Sequence, residues 1–240
     1  MIKNTLEDII HKYYLGSFCE SVKWNNTSDL LTIKFINNTS NLFGNITVKD
    51  FDPINFTVGI FDTTKLLKLV KILDTEFKFE VTKNETKIML TDNQYNIEYT
   101  LADINVIPDV PSKVNEPSEW ECVFELNKDL VKNILAAKKA APDTNTISFN
   151  RTNTSIGCII GELLYNSNKI NINITPSNKS SKMDNISYPL DLFCEVIDNN
   201  TDMNTGTVYI SESGIAKIVF SNYSKATLEI NTTYYLIANQ

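Results

Sequence analysis

Two short amphipathic segments carry lysines at helical spacing, and these lysines are the side chains of the chain best placed for chemistry. At about 100° per residue, Lys65, Lys68 and Lys71 lie on one side of the first segment, opposite a leucine-rich side. In the second segment Lys128, Lys132 and Lys139 lie within about 40° of one another. Rows of ammonium groups attract a phosphate backbone. The chain as a whole is acidic, at net charge -7, so the rows predict a surface that holds polyanion on one side only.

Sequence-independent contact is the kind of binding that these rows favour. Lysine supplies a mobile point charge, whereas arginine makes the paired contacts that read a guanine edge, and Arg151 is the single arginine. An amphipathic helix that merely shows charge to water is the alternative interpretation. Such helices more often interleave both signs, and here only Asp74 and Asp129 accompany the two rows. We therefore expect salt-dependent attraction to phosphates without base reading.

Catalytic and metal-binding signatures are missing from the sequence. His11 is the only histidine, and the four cysteines form no CxxC pair, which predicts buried, reduced thiols and neither a metal nor a cofactor. We find no phosphate-binding GxxxxGK[ST] loop and no nucleophile with its base, so the chain is not expected to be an enzyme. The cysteines in question are Cys19, Cys122, Cys158 and Cys194.

The elements that position the lysines follow one repeated plan, a strand, a short helix and then two or three alternating strands. The plan predicts repeats that begin near Met1, Ile54, Glu121 and Asn185. Asp62 or Thr63 is expected to cap the second helix, Asn127 to cap the third, and Pro142 to end it. The predicted helices are 4–14, 65–73, 128–141 and 189–198. The predicted strands are 17–24, 30–36, 44–49, 55–61, 77–81, 87–91, 95–101, 121–125, 146–150, 155–160, 169–175, 186–188, 206–211, 215–221, 226–231 and 234–238.

A proline-bearing stretch divides these repeats into two pairs. Pro108, Pro111 and Pro117 fall in a segment without sustained periodicity, which predicts an extended surface connector. The expected organisation is an N-terminal domain at 1–107, a connector at 108–119 and a C-terminal domain at 120–240. The fold class is α+β, with two similar domains that have antiparallel sheets outside and helices inside. The N-terminus lacks a signal peptide's apolar run and no segment is long enough to span a membrane, so we expect a cytoplasmic, soluble protein.

As a pattern, the chain resembles DNA sliding clamps of the PCNA type, in particular those of T-even-type bacteriophages. Asn55–Leu73 resembles the first-domain strand and inner helix of those clamps, and Ala102–Val114 resembles the approach to their interdomain connector. Phe124–Phe149 resembles the opening helix and strand of their second domain. The likeness spans nearly the whole chain but contains no diagnostic motif.

The resemblance implies a function without catalysis. Clamps of this family are rings of six domains, so two domains per chain imply a homotrimer that encircles duplex DNA and tethers the replicative polymerase, opened by an ATP-dependent clamp loader. The location would be the cytoplasm, of the host cell if the protein is viral. A partner-peptide pocket would be formed by Ile104, Val106, Ile107, Tyr235 and Ile237. The side chains facing DNA would be Lys12, Lys65, Lys68, Lys71, Lys128, Lys132 and Lys139.

One feature departs from the family pattern, and two other functions stay open. The fourth helix carries Asp191, Glu195 and Asp198 and no lysine, so either its acids face a neighbouring subunit or DNA is held off-centre. The first alternative function is a monomeric viral DNA-binding processivity factor of the same fold. The second is a secreted, asparagine-rich β glycoprotein. It is suggested by Asn-x-Ser/Thr triplets such as those at Asn37, Asn55, Asn173 and Asn231.

Overall fold

The four predicted repeats are each present as a helix followed by three strands, in a computed structural model that describes residues 1–111, 114–161, 168–203, 205–223 and 228–239. The chain divides into two compact units, Met1–Val110 with Tyr223–Thr232, and Pro111–Asn222 with Thr233–Gln240. The first unit contains α1 (Lys3–Tyr14), β1 (Val22–Thr27), β2 (Leu30–Ile36), β3 (Leu42–Val48), β4 (Phe56–Ile60), α2 (Thr63–Lys71), β5 (Lys78–Val81), β6 (Lys87–Thr91) and β7 (Asn96–Thr100).

The second unit repeats this order with an additional leading strand. It contains β8 (Cys122–Glu125), α3 (Lys128–Ala140), β9 (Thr146–Arg151), β10 (Ile156–Ile160), β11 (Ile170–Ile174), β12 (Met183–Pro189), α4 (Leu190–Asp198), β13 (Thr205–Ile210), most of β14 (Ile215–Tyr223) and the end of β15 (Ile230–Ile237). No helix within the described residues is both long and apolar enough to cross a membrane.

The two repeats of a unit exchange their leading strands. In the first unit β4 precedes α2 but pairs with β1, which gives the strand order β4-β1-β2-β3 beside a second sheet, β5-β6-β7. In the second unit β8 pairs with β13, and β12 pairs with β9. Met1 and Ile2 stand in for a leading strand of α1, since Met1 and Phe77 exchange backbone hydrogen bonds and Ile2 bridges Glu76. Because of this exchange, the two repeats of each unit form one domain.

Each pair of helices covers its sheets with an apolar face. In the first unit Leu66 and Val70 of α2 are buried, and Trp24 lies at the centre of an aromatic cluster with Phe51 and Phe79. In the second unit Phe149 contacts the rings of Phe124, Tyr188 and Phe193. Burial of these faces fixes which side of each helix remains open to solvent.

Most predicted elements are confirmed to within two residues, and four predicted strands differ. The strand predicted at 17–24 begins only at Val22, because a tight turn with Leu15, Gly16 and Ser17 in the left-handed region follows α1. The strand predicted at 186–188 begins earlier, at Met183, across an irregularity in its pairing with β9. The strands predicted at 226–231 and 234–238 are one continuous strand, β15. Residues 226 and 227, and residues 112 and 113 of the predicted connector, lie outside the described residues.

Candidate nucleic-acid interface

The lysine row of α2 faces solvent, as its spacing predicts. Asp62 caps the helix by accepting a 2.7 Å hydrogen bond from the Lys65 backbone nitrogen, which fixes where the helix begins and hence its rotation. Lys65, Lys68 and Lys71 are all exposed, while Leu66 on the opposite side is buried. The helix therefore presents three ammonium groups along one open face.

The row of α3 is arranged in the same way. The Asn127 side chain accepts a 2.8 Å hydrogen bond from the Leu130 backbone nitrogen and begins the helix. Lys128, Lys132 and Lys139 are exposed. In the part of the chain that the structure describes, no ion pair engages any of the six lysines of the two rows. All six ammonium groups are accordingly available to an external anion.

The prediction that Lys12 faces DNA is wrong. The exposed fraction of Lys12 is 1 %, because α1 buries a broad face around Leu6 and Ile9 and Lys12 falls at the margin of that face. Lys3 is also occupied, since its Nζ donates to the carbonyl oxygens of Lys71 (2.9 Å) and Leu73 (2.7 Å) at the end of α2. There its positive charge complements the negative end of the helix dipole.

The predicted peptide-pocket residues differ widely in exposure. Ile104 and Val106 lie on a single 3-10 turn and are exposed, Val106 to 60 %. Ile107 is buried and packs against Gly59, where a Cβ would come within 3.0 Å of Ile107 Cγ1 and 2.9 Å of the Ala102 carbonyl oxygen. Only glycine fits this close approach. Ile107 thus anchors the chain before the connector and offers little surface to a ligand, and its place in a peptide pocket stays a prediction.

The remaining two pocket residues belong to the second unit. Tyr235 is mostly buried, at 8 % exposed, and its hydroxyl donates a 2.6 Å hydrogen bond to Glu116 Oε1. Ile237 is half-buried. Tyr235 consequently offers little surface to a ligand, and a shared pocket with Ile104 and Val106 stays a prediction.

An apolar cavity of about 610 Å³ lies beside the α3 row. Its walls include Val131, Ile197 and Phe220, and the three lysines of the α3 row also line it. Asn200 is the buried amide on its wall, and it is already engaged, with Nδ2 donating to the Val196 carbonyl and to the Tyr234 hydroxyl. Lysine stems commonly cover apolar surface while their charged ends stay in water, and this arrangement is consistent with that behaviour.

The remaining reactive side chains are structural. Arg151 is buried, and its guanidinium donates to the Glu121 carbonyl (2.7 Å) and to the Asn178 carbonyl (2.7 Å), so it is unavailable for reading bases. The four cysteines are buried, as predicted, and burial raises the pKa of the Cys158 thiol to about 12. Within the described residues, no group of histidine, cysteine or carboxylate side chains has the arrangement of a metal site.

Comparison with known proteins identifies the fold. No protein-family model and no curated protein sequence matches the chain. Proliferating cellular nuclear antigen (PCNA) from Entamoeba histolytica matches with a TM-score of 0.76 at 12% identity, over 100% of this chain and 97% of that chain.

Two further structures match over the same extent, 100% of this chain and 97% of the matched chain in each case. The PCNA2–PCNA3 complex from Sulfolobus tokodaii gives a TM-score of 0.72 at 14% identity. A. fulgidus PCNA bound to the C-terminal region of FEN-1 gives 0.78 at 13% identity. The chain therefore has the two-domain α+β fold of PCNA-like clamps, with mostly antiparallel sheets and few helices.

Proposed function

We propose that this protein is a DNA sliding clamp, a ring that encircles duplex DNA and tethers the replicative polymerase without catalysis of its own. The observation that carries the proposal is the pair of open lysine rows on α2 and α3 in a chain that matches PCNA structures over its whole length. An acidic chain that concentrates unpaired lysines on two helices is suited to bind a phosphate backbone at those helices.

The proposed mechanism depends on topology more than on affinity. A closed ring leaves duplex DNA only by opening or by reaching an end, so weak and diffuse contacts suffice. Lysines make such contacts without reading sequence, which lets the ring travel along the duplex. A polymerase bound to the ring stays at high effective concentration near the primer end, and this is how processivity arises without chemistry.

Ring closure requires partners for the open sheet edges. In the described residues β7 ends the three-stranded sheet of the first unit, and β11 ends the four-stranded sheet of the second. Unpaired edges are a template for pairing with another chain. We propose that β7 of one copy pairs with β11 of the next, which gives a homotrimer with two domains from each copy. The Sulfolobus tokodaii structure is a complex of PCNA2 with PCNA3, which supports assembly between chains of this fold.

Residues 108–119 are proposed as the connector between an N-terminal domain at 1–107 and a C-terminal domain at 120–240. Asp109 is paired with Lys23 at 2.6 Å in the first unit, and Glu116 with Lys217 at 2.7 Å in the second. These ion pairs attach one described end of the connector to the first unit and the other to the second unit.

The proposed partners are a DNA polymerase and an ATP-dependent clamp loader. A. fulgidus PCNA binds the C-terminal region of FEN-1, which supports a comparable peptide site here, with Ile104 and Val106 as exposed anchors and Ile237 as a further wall. A bacteriophage source, with action in the host cytoplasm, is part of the same proposal.

The glycoprotein alternative is disfavoured by Asn37. Its side chain is buried, with Nδ2 donating to Asn41 Oδ1 (2.7 Å) and Oδ1 accepting from the Leu42 backbone nitrogen (3.0 Å). Nδ2 donates its second hydrogen to Thr39 Oγ1 (3.0 Å), so a glycan, which would replace one of the two hydrogens, would remove at least one hydrogen bond from the turn between β2 and β3.

Retention on circular DNA is the deciding experiment. The purified protein is incubated with a clamp loader, ATP and nicked circular DNA, and the DNA-bound fraction is isolated by gel filtration before and after the circle is cut once. We expect retention on the circle, loss after cutting, and a solution mass of three times the 27.2 kDa chain. Equal retention on both forms, or a monomer mass with DNA binding, would instead indicate a processivity factor that grips DNA without a ring.

A further inference from the structure

The two helices of each unit carry opposite charge on their open faces. In the second unit, α4 presents Asp191, Glu195 and Asp198, spaced so that all three lie on one side of the helix. The other side of α4 is fully apolar and buried, with Leu192, Phe193, Val196 and Ile197 at or below 2 % exposed. The helix therefore has a single open face, and that face is a row of carboxylates beside the lysine row of α3.

A direct contact joins the two faces. Lys138 Nζ of α3 lies 2.7 Å from Asp191 Oδ1 of α4. Burial alone would lower the pKa of Lys138, but the hydrogen bond to Asp191 and the nearby Glu195 outweigh it, so the pKa is raised. Asp191 thus engages a fourth lysine of α3, which lies about 100° around the helix from the centre of the row, on the side towards α4.

In the first unit, different residues likewise leave one helix with open lysines and the other without them. Lys12 is buried and Lys3 is bonded to the end of α2, so neither adds a cation to the open face of α1. Burial, and then the positive charge of Lys71, lowers the pKa of His11, so its imidazole is neutral near pH 7. The residues that α1 presents to solvent include the half-buried carboxylate of Glu7.

We infer that the carboxylate faces restrict DNA contact to α2 and α3. They also make the attraction between the helices and DNA weaker than the number of lysines on the helices would give. This inference rests on the clamp function proposed above. Phosphates approach the lysine rows, like charge keeps them from α4 and α1, and Asp191 withholds Lys138 from them. A ring that must travel gains from this arrangement, because every added phosphate contact makes binding tighter and more dependent on salt.

The competing interpretation is that α4 carries carboxylates only for solubility. The two interpretations differ in whether position matters. If solubility or net charge is all that counts, carboxylates elsewhere on the second unit have the same effect on DNA binding. Glu125 on β8, Asp184 on β12 and Glu212 in the turn after β13 are exposed and lie outside both helices, so they provide a matched control.

The test compares two triple variants with equal change in net charge. Asp191→Asn/Glu195→Gln/Asp198→Asn neutralises the α4 face, and Glu125→Gln/Asp184→Asn/Glu212→Gln neutralises the control set. Affinity for a short linear duplex is measured by fluorescence anisotropy over a series of KCl concentrations, after circular dichroism shows that both variants are folded. We expect the α4 variant to bind about fivefold more tightly than wild type at low salt, and the control less than about twofold.

The Lys138 pair is tested by a double-mutant cycle. Lys138→Gln in the wild-type background is expected to weaken binding slightly, because it leaves the Asp191 carboxylate on α4 without its ammonium partner. Asp191→Asn alone should steepen the log–log salt dependence by about 0.9, as one more phosphate contact forms, and adding Lys138→Gln should cancel that gain. The α4 variant should also leave cut circles more slowly than wild type.

Equal tightening by the two triple variants, or none by the α4 variant, overturns the inference while leaving the clamp function intact. If wild type neither binds the duplex nor is retained on circles, the proposed clamp function is contradicted, and so is the inference that rests on it.

Discussion

The Tyr235 hydroxyl donates a 2.6 Å hydrogen bond to Glu116 Oε1, and the same carboxylate oxygen accepts a 2.7 Å hydrogen bond from Lys217 Nζ. Glu116 lies in the proposed connector, whereas Tyr235 and Lys217 lie on β15 and β14 of the second unit. One carboxylate therefore attaches the end of an otherwise irregular segment to two neighbouring strands of a sheet. The hydrogen bond from Lys217, followed by that from Tyr235, lowers the pKa of Glu116 below its ordinary value of 4.5.

Glu116→Gln is predicted to lower the stability of the second unit by about 0.5 kcal/mol at neutral pH, a small effect because Glu116 is 37% exposed. A carboxyl whose pKa is lower when folded stabilises the fold above its unfolded pKa and ceases to do so as pH falls through its folded pKa. The difference between wild type and variant should thus be constant above about pH 4.5 and vanish in stronger acid. Urea unfolding at several pH values measures it, with Glu125→Gln as the exposed control. A difference that grows in acid would contradict the assignment.

Replacing the α2 row, Lys65→Gln/Lys68→Gln/Lys71→Gln, is predicted to weaken duplex binding and flatten its salt dependence. The log–log slope should fall by about 0.9 for each lysine that contacts a phosphate. Lys34→Gln/Lys78→Gln/Lys83→Gln removes the same charge from exposed positions on strands and a turn of the first unit. Anisotropy titrations should show a much smaller effect for this control, and equal loss in both variants would assign the attraction to net charge.

The four thiols are predicted to be unreactive in the folded protein. Burial raises the pKa of Cys19, Cys122, Cys158 and Cys194 to about 12, so little thiolate exists at pH 8, and the reagent has no access to the sulfur atoms. Titration with a colorimetric disulfide reagent should detect none of the thiols before denaturation and all four after it. Rapid reaction of any one of them in the native protein would show that its surroundings open.

Local signals made the α2 and α3 predictions accurate, and tertiary packing made others fail. Residue type alone predicts Asp62 or Thr63 as the cap of α2 and Asn127 as the cap of α3, and Asp62 and Asn127 make the expected hydrogen bonds. Lys12 was misplaced because what covers the margin of a helix depends on elements far away in the sequence. The sequence predicts two strands where the structure has only β15, because residues 232 and 233 fall outside both predicted strands, although Thr232 is a β-branched residue that is buried within β15. The pairing of Tyr235 with Glu116, 119 residues apart, has no local signal at all.

Phe149→Ala is predicted to destabilise the second unit by about 3–5 kcal/mol. The ring is fully buried, and its centroid lies 5.6 Å from that of Phe124 and 5.4 Å from that of Phe193, so truncation leaves a cavity between β8, β9 and α4. Phe61→Ala is the control, since Phe61 is 59% exposed and should change stability by less than about 0.5 kcal/mol. Urea unfolding followed by circular dichroism measures both. Similar values for the two variants would show that Phe149 is not a core residue.

Proline substitutions at two neighbouring positions of β11 distinguish the role of this strand in the fold from its role in the proposed assembly. Asn171 and Ile172 pair with Ile159 and Cys158 of β10, and neighbouring residues of a strand point their N–H groups to opposite sides. One of the two N–H groups therefore faces β10 and the other faces the open edge. Proline removes that donor in either case.

Of Asn171→Pro and Ile172→Pro, one variant is expected to lose stability in the second unit, because its ladder hydrogen bond to β10 is broken. The other should keep a wild-type melting profile yet sediment as a 27.2 kDa monomer and fail to remain on circular DNA, because only the bond to a neighbouring copy is lost. Analytical ultracentrifugation and thermal melts of both variants distinguish the two effects. If the stable variant still assembles fully, β11 is not the edge through which copies pair, and the ring must close elsewhere.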